Sequence, residues 1–183
     1  HYRKALQINP DFQQAYINLG AALARTGKTD EAIVQYRKAL QIDPDNADAH
    51  DDLGLLLLDQ GKTDEALGHF RKALEIKPDS VKTRKNMGLA LAKQGKMNEA
   101  MEYYNTALQK DPEDAEALFY IGAELLKQGK AEEAIDNLKK AVQINPDYAE
   151  AHLNLGILLL DHCLDYEAAI TAYRKAIELQ PGF

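Results

Sequence analysis

The chain has 183 residues, 45% of them apolar and 28% charged, which suits a folded protein with a continuous core. Acidic residues outnumber basic ones 29 to 22, and the net charge of -7 argues against general nucleic-acid or anionic-membrane binding, which needs clustered positive charge. One cysteine excludes an internal disulfide framework, and no run of about 18 apolar residues offers a membrane span.

Taken in chain order, the first segment, HYRKALQINP, stops at Pro10. Next, YINLGAALARTG places apolar residues at i, i+4 and i+7 or i+8, the periodicity of a helix, and runs into Gly27. DEAIVQYRKALQIDP repeats the same periodicity and stops at Pro44. The pair then recurs as HDDLGLLLLDQG with DEALGHFRKALEIKP, and again from RKNMGLALAKQG and from LFYIGAELLKQG. Pro10, Pro44, Pro78, Pro112, Pro146 and Pro181 are spaced by 34, 34, 34, 34 and 35 residues. A fixed period of this size means one supersecondary unit copied along the chain, here helix, turn, helix, turn.

Each marker has a physical task. Gly27, Gly61, Gly95 and Gly129 supply the left-handed backbone that ends the first helix of a unit. Proline ends the second helix and pushes the residue before it out of the helical region. Gly20, Gly54, Gly88, Gly122 and Gly156 sit mid-helix, where glycine costs about 1 kcal/mol relative to alanine, so close approach of a partner helix is expected there. In the last unit Cys163 stands where the turn glycine belongs, and one extra residue precedes Ala169. An altered final hairpin is therefore predicted.

Residues 13–46 carry Tyr16, Leu19, Gly20, Leu23, Ala32, Tyr36, Ala39 and Pro44, a pattern that resembles the tetratricopeptide repeat. The resemblance covers the chain as a single array: a partial repeat at 1–12, then repeats at 13–46, 47–80, 81–114, 115–148 and 149–183. It implies an all-α fold, a right-handed superhelical α-solenoid of stacked antiparallel helix pairs. The start inside a half-repeat predicts a segment of a longer protein.

The same resemblance implies a scaffold that binds a protein or peptide in a concave groove lined by the first helices. Carried onto this chain, the groove positions include Asn18, then Asp48, Asp51, Asp52 and Leu55, then Lys82, Lys85, Asn86 and Leu89. Phe119, Tyr120 and Asn154 follow in the last two units. Two readings stand open for the charges: the aspartates and lysines of neighbouring units neutralise each other, or they meet a partner with the opposite pattern. Phe119 and Tyr120 are either hot-spot anchors or packing residues. The Lys and Asn set by which related arrays grip chaperone tails is absent from every window of three units, so no such binding is expected.

Other chemistry is not supported. Gly27-Lys28-Thr29 and Gly61-Lys62-Thr63 resemble the end of a phosphate-binding loop, but the required earlier glycine is Ala22 or Leu56. His162-Cys163 lacks the partners of a zinc or thiol site, and Asp43 to Asp52 lacks the ligand order of a calcium loop. No nucleophile, base and oxyanion set emerges. The expectation is a protein that is not an enzyme, with no metal or cofactor and no membrane insertion, and with a cytoplasmic location favoured. The alternatives are self-association through uncapped ends and the recognition arm of an enzyme.

Overall fold

The structure, a computed structural model, describes residues 12–182. Ten helices and no strand are found among them: α1 (Gln13–Arg25), α2 (Thr29–Ile42), α3 (Ala47–Asp59), α4 (Thr63–Ile76), α5 (Val81–Lys93), α6 (Met97–Lys110), α7 (Ala115–Lys127), α8 (Ala131–Ile144), α9 (Ala149–Asp161) and α10 (Tyr166–Leu179). Pro10 and the other markers of the partial repeat lie outside the described residues. The chain divides into two compact units, His1–Gly95 and Lys96–Phe183.

The helix ends follow the sequence markers. In each of the second helices α2, α6 and α8 the residue before proline is extended, with ψ of 96° at Asp43, 90° at Asp111 and 91° at Asn145. Two residues after proline, a polar side chain restarts the chain as a first helix: Asn46 Oδ1 accepts from the Ala49 amide at 2.9 Å, and Asp114 Oδ1 accepts from Ala117 at 2.9 Å. At the hairpin turn Gly27 has φ of 74°, its amide donates to the Ala24 carbonyl at 3.0 Å, and Lys28 donates to Leu23 at 3.0 Å. Two carbonyls at the helix end are thereby satisfied.

In the first unit α1 and α2 form one hairpin and α3 and α4 the next, with α2 packed on α3, and α5 packed on both α3 and α4. In the second unit α6 packs on α7, α7 pairs with α8, α8 packs on α9, and α9 pairs with α10. Ala66, Phe70 and Ala73 of α4 and Leu53 and Leu57 of α3 have no exposed surface. The expected close approach at the mid-helix glycines is made by a side chain. A Cβ on Gly54 would lie 2.6 Å from the Phe70 ring, and one on Gly122 would lie 2.8 Å from Leu138 Cγ. The small residue makes room for the large residue of the second helix.

The last hairpin departs from the others. Its left-handed residue is Leu164, with φ of 51°, rather than Cys163, which is exposed. The Lys28, Lys62 and Lys130 amides reach back five residues to Leu23, Leu57 and Leu125, whereas Asp165 reaches back six, to the Leu159 carbonyl at 3.0 Å. The extra residue is absorbed wholly in the turn, so α9 and α10 keep the lengths of their counterparts.

Candidate functional site

In the first unit the groove positions of α3 and α5 are joined by charge. Lys82 Nζ lies 2.9 Å from Asp51 Oδ2 and 2.7 Å from Asp52 Oδ1. Asn86 Nδ2 donates to Asp51 Oδ1 at 3.0 Å, and the Tyr36 hydroxyl donates to Asp52 Oδ2 at 3.2 Å. Asp51 is 2% exposed, so its carboxylate is turned into the structure and held there by Lys82 and Asn86. Burial works against the Lys82 charge, yet the bonds to Asp52 and Asp51 outweigh it and push its pKa upward. The Tyr36 phenol is pushed up by burial and by the Asp52 charge. Asp48 is exposed and pairs with Lys77 Nζ at 3.1 Å. Lys82 of the third repeat thus pairs with both Asp51 and Asp52 of the second.

Leu55, Lys85 and Leu89 on these helices, and Asn18 on α1, are each partly covered. Leu58, one helical turn beyond Leu55 on α3, is 1% exposed and is core.

In the second unit rings replace charges. Tyr120 stacks on Tyr104 with centroids 5.3 Å apart, and its hydroxyl donates to Glu116 Oε1 at 3.2 Å. Phe119 tilts against Tyr148 at 4.8 Å and against Tyr120 at 5.5 Å. Burial, followed by neighbouring acidic groups, raises the pKa of Tyr120. Phe119, Tyr120 and Asn154 all keep part of their surface exposed, so packing and availability coexist.

Sequence reasoning missed three features. Tyr36 was legible only as a repeat marker, and its bond to Asp52 needs the register between α2 and α3. Glu124 is 5% exposed at a first-helix position that holds Ala90 and Leu158 in other units, and Lys127 Nζ reaches its Oε1 at 2.8 Å. His50 and His69 meet with their Nδ1 atoms 2.8 Å apart. The signal for the charge links was a spacing: Lys82 reaches Asp52, Gln60 reaches Asp30 and Gln94 reaches Asp64, each across 30 residues.

Among the described residues no group of three or more His, Cys, Asp or Glu side chains is placed to hold a metal ion, and no helix is long and apolar enough to cross a membrane.

Profiles described as TPR repeat match residues 22–61 and 122–162, and others described as tetratricopeptide repeat match 57–120, 1–34 and 149–183. The chain is a tetratricopeptide repeat protein. Comparison with curated proteins finds no match. Among solved structures, YrrB, described as a TPR protein with an unusual peptide-binding site, is 27% identical over 98% of this chain and 92% of its own, with a TM-score of 0.68. PilF of Pseudomonas aeruginosa is 28% identical over 91% of this chain and 76% of its own, with a TM-score of 0.82. The Cut9–Hcn1 assembly of APC/C is 19% identical over 100% of this chain and 36% of the other, with a TM-score of 0.87, a likeness of fold. The all-α repeat fold read from the spacing of proline and glycine is thus that of this tetratricopeptide array.

Proposed function

We propose that this array is a protein-interaction scaffold that takes a peptide segment along the groove side of its first helices. The observation that carries the reading is the incomplete covering of apolar and amide side chains at groove positions: Leu55 and Leu89, which share one repeat position, in the first unit, and Phe119 and Asn154 in the second. Aromatic and aliphatic side chains left partly open beside satisfied polar groups are what anchor a peptide. The likeness to YrrB, a protein described as having a peptide-binding site, supports the class of partner. With Asp51 buried and Asp52 and Lys82 paired, we assign specificity to Phe119, Tyr120, Leu55 and Leu89, flanked by Asp48, Lys85, Asn18, Asn86 and Asn154. Peptides selected from a random display library should bind the wild type and lose about tenfold in affinity in Phe119→Ala and in Leu89→Ala, the cost of one anchor. Unchanged affinity in both variants would reject the groove assignment.

A second reading, self-association, has its own support. Ile33 of α2 is 4% exposed, whereas its counterpart on α10, Ile170, is 43% exposed, and Ile177 is 54% exposed. Such a face accepts a further helix. Sedimentation over a concentration series separates the readings: a mass that grows with concentration, and falls back to the monomer in Ile170→Lys, supports self-association.

A further inference from the structure

A cleft of about 520 Å³ opens among α8, α9 and α10, away from the groove positions, and its floor includes Leu155, Leu159 and Ala172. That size lies within the range of ligand pockets. The same place in the second repeat is filled, and the contrast between the two defines what is missing. His50 Nε2 lies 3.0 Å from the Pro44 carbonyl, so that nitrogen carries the proton and Nδ1 is left as an acceptor for His69 Nδ1–H at 2.8 Å. Beside this ring pair Arg37 binds Glu65 at 2.6 Å.

In the last repeat His152 stands at the position of His50 and makes the same bond, Nε2 to the Pro146 carbonyl at 2.9 Å. Its Nδ1 acceptor is therefore set in the same way. The position of His69, however, is Ala172, that of Glu65 is Ala168, and that of Arg37 is Lys139. The donor ring and the carboxylate are both gone, while the acceptor and the cation remain and line the cleft. Lys175, also on the rim, is held by Glu178 at 3.3 Å.

We propose that this cleft is a second peptide-binding site, for a protein segment carrying an aromatic side chain with an N–H or O–H donor next to an acidic residue. The ring takes the space that His69 fills in the second repeat and donates to His152 Nδ1. The carboxylate takes the place of Glu65 and pairs with Lys139. An open cleft with a cation at its rim suits a side chain presented by a chain that runs on at both ends. The site is independent of the groove, and its occupant differs by requiring the acidic neighbour.

The protein contains no tryptophan, so a peptide indole reports binding without background. The probe is the blocked peptide Ac-EEWEE-NH2, titrated with the full chain. Saturable blue-shifted indole fluorescence is expected with a Kd in the range of about 10 µM to about 1 mM. The double variant Ala172→His with Ala168→Glu rebuilds the second-repeat arrangement and should weaken binding by at least about tenfold with unchanged circular dichroism. Lys139→Glu changes an exposed side chain, keeps the fold, and should weaken binding by about threefold to tenfold. The groove variant Phe119→Ala should leave this binding unchanged, which keeps the outcome separate from that of the groove assignment. No saturable signal up to about 1 mM, or equal binding by wild type and Lys139→Glu, overturns the proposal. Indole-3-acetate binding as tightly as the peptide overturns it in favour of a small aromatic acid.

Discussion

The sixth position of the repeat is Asp52 in the second repeat, within the first unit, and Tyr120 in the fourth repeat, within the second, and the two join their neighbours by opposite means. Asp52 is tied to α5 by Lys82 and to α2 by Tyr36, with the buried Asp51 completing the network. Tyr120 is tied to α6 by stacking on Tyr104. The repeat backbone fixes only where this side chain sits, so either a charge network or a ring stack serves as adhesive between helices. The surface left uncovered differs accordingly: paired charge and aliphatic side chains in the first unit, aromatic rings in the second.

The charge network is the easier to break. Lys82→Ala leaves Asp51 buried with Asn86 as its remaining partner, and removing one member of a buried pair is costly. Because the Lys82 side chain is itself 60% exposed, a loss of about 2–3 kcal/mol is expected in urea unfolding, below the full cost of an orphaned charge. Lys82→Arg should recover part of it. A loss below about 0.5 kcal/mol, the scale of an ordinary surface pair, would place Asp51 outside the network.

The ring stack should respond less. Tyr120→Ala removes a half-buried ring and its contact with Tyr104, for an expected loss of about 1–2 kcal/mol that salt does not change. Tyr104→Phe sharpens the contrast in the other direction. Among the described residues the buried Tyr104 hydroxyl has no hydrogen-bond partner, and a hydroxyl buried without one is a net cost. Its removal should stabilise the protein by about 1 kcal/mol, whereas Tyr36→Phe, which loses a bond to Asp52, should destabilise it.

The fold was legible because its markers are backbone requirements. A left-handed turn at Gly27 and an extended residue before Pro44 follow from stereochemistry alone, and the departure at the last turn followed from one extra residue. The chemistry of the groove was less legible because it depends on register between helices. Asp51 and Asp52 are adjacent in sequence and equally acidic, yet one is core and the other rim, a distinction set by a rotation of about 100° per residue around α3. Leu58 likewise reads as groove by position and packs as core. The His50–His69 contact was invisible because nothing local links residues 19 apart on two helices. Only the hairpin geometry brings them together.

That histidine contact carries the smallest expected effect. His69 faces His50 on α3, Glu65 on its own helix and Arg37 on α2. Burial lowers its pKa below the usual 6.5, the neighbouring His50 and Arg37 lower it further, and Glu65 opposes them. The folded protein therefore resists the proton that the unfolded chain accepts. Above 6.5 neither state is protonated and the contribution of the neutral ring to stability is complete. As the pH falls below 6.5 the unfolded chain binds the proton first, so stability declines until the lower, folded pKa has been passed. The urea midpoint should fall between about pH 7 and about pH 5, and His69→Gln, whose amide keeps a donor for His50, should flatten the decline. An unchanged slope in His69→Gln would mean that the decline does not belong to the pair.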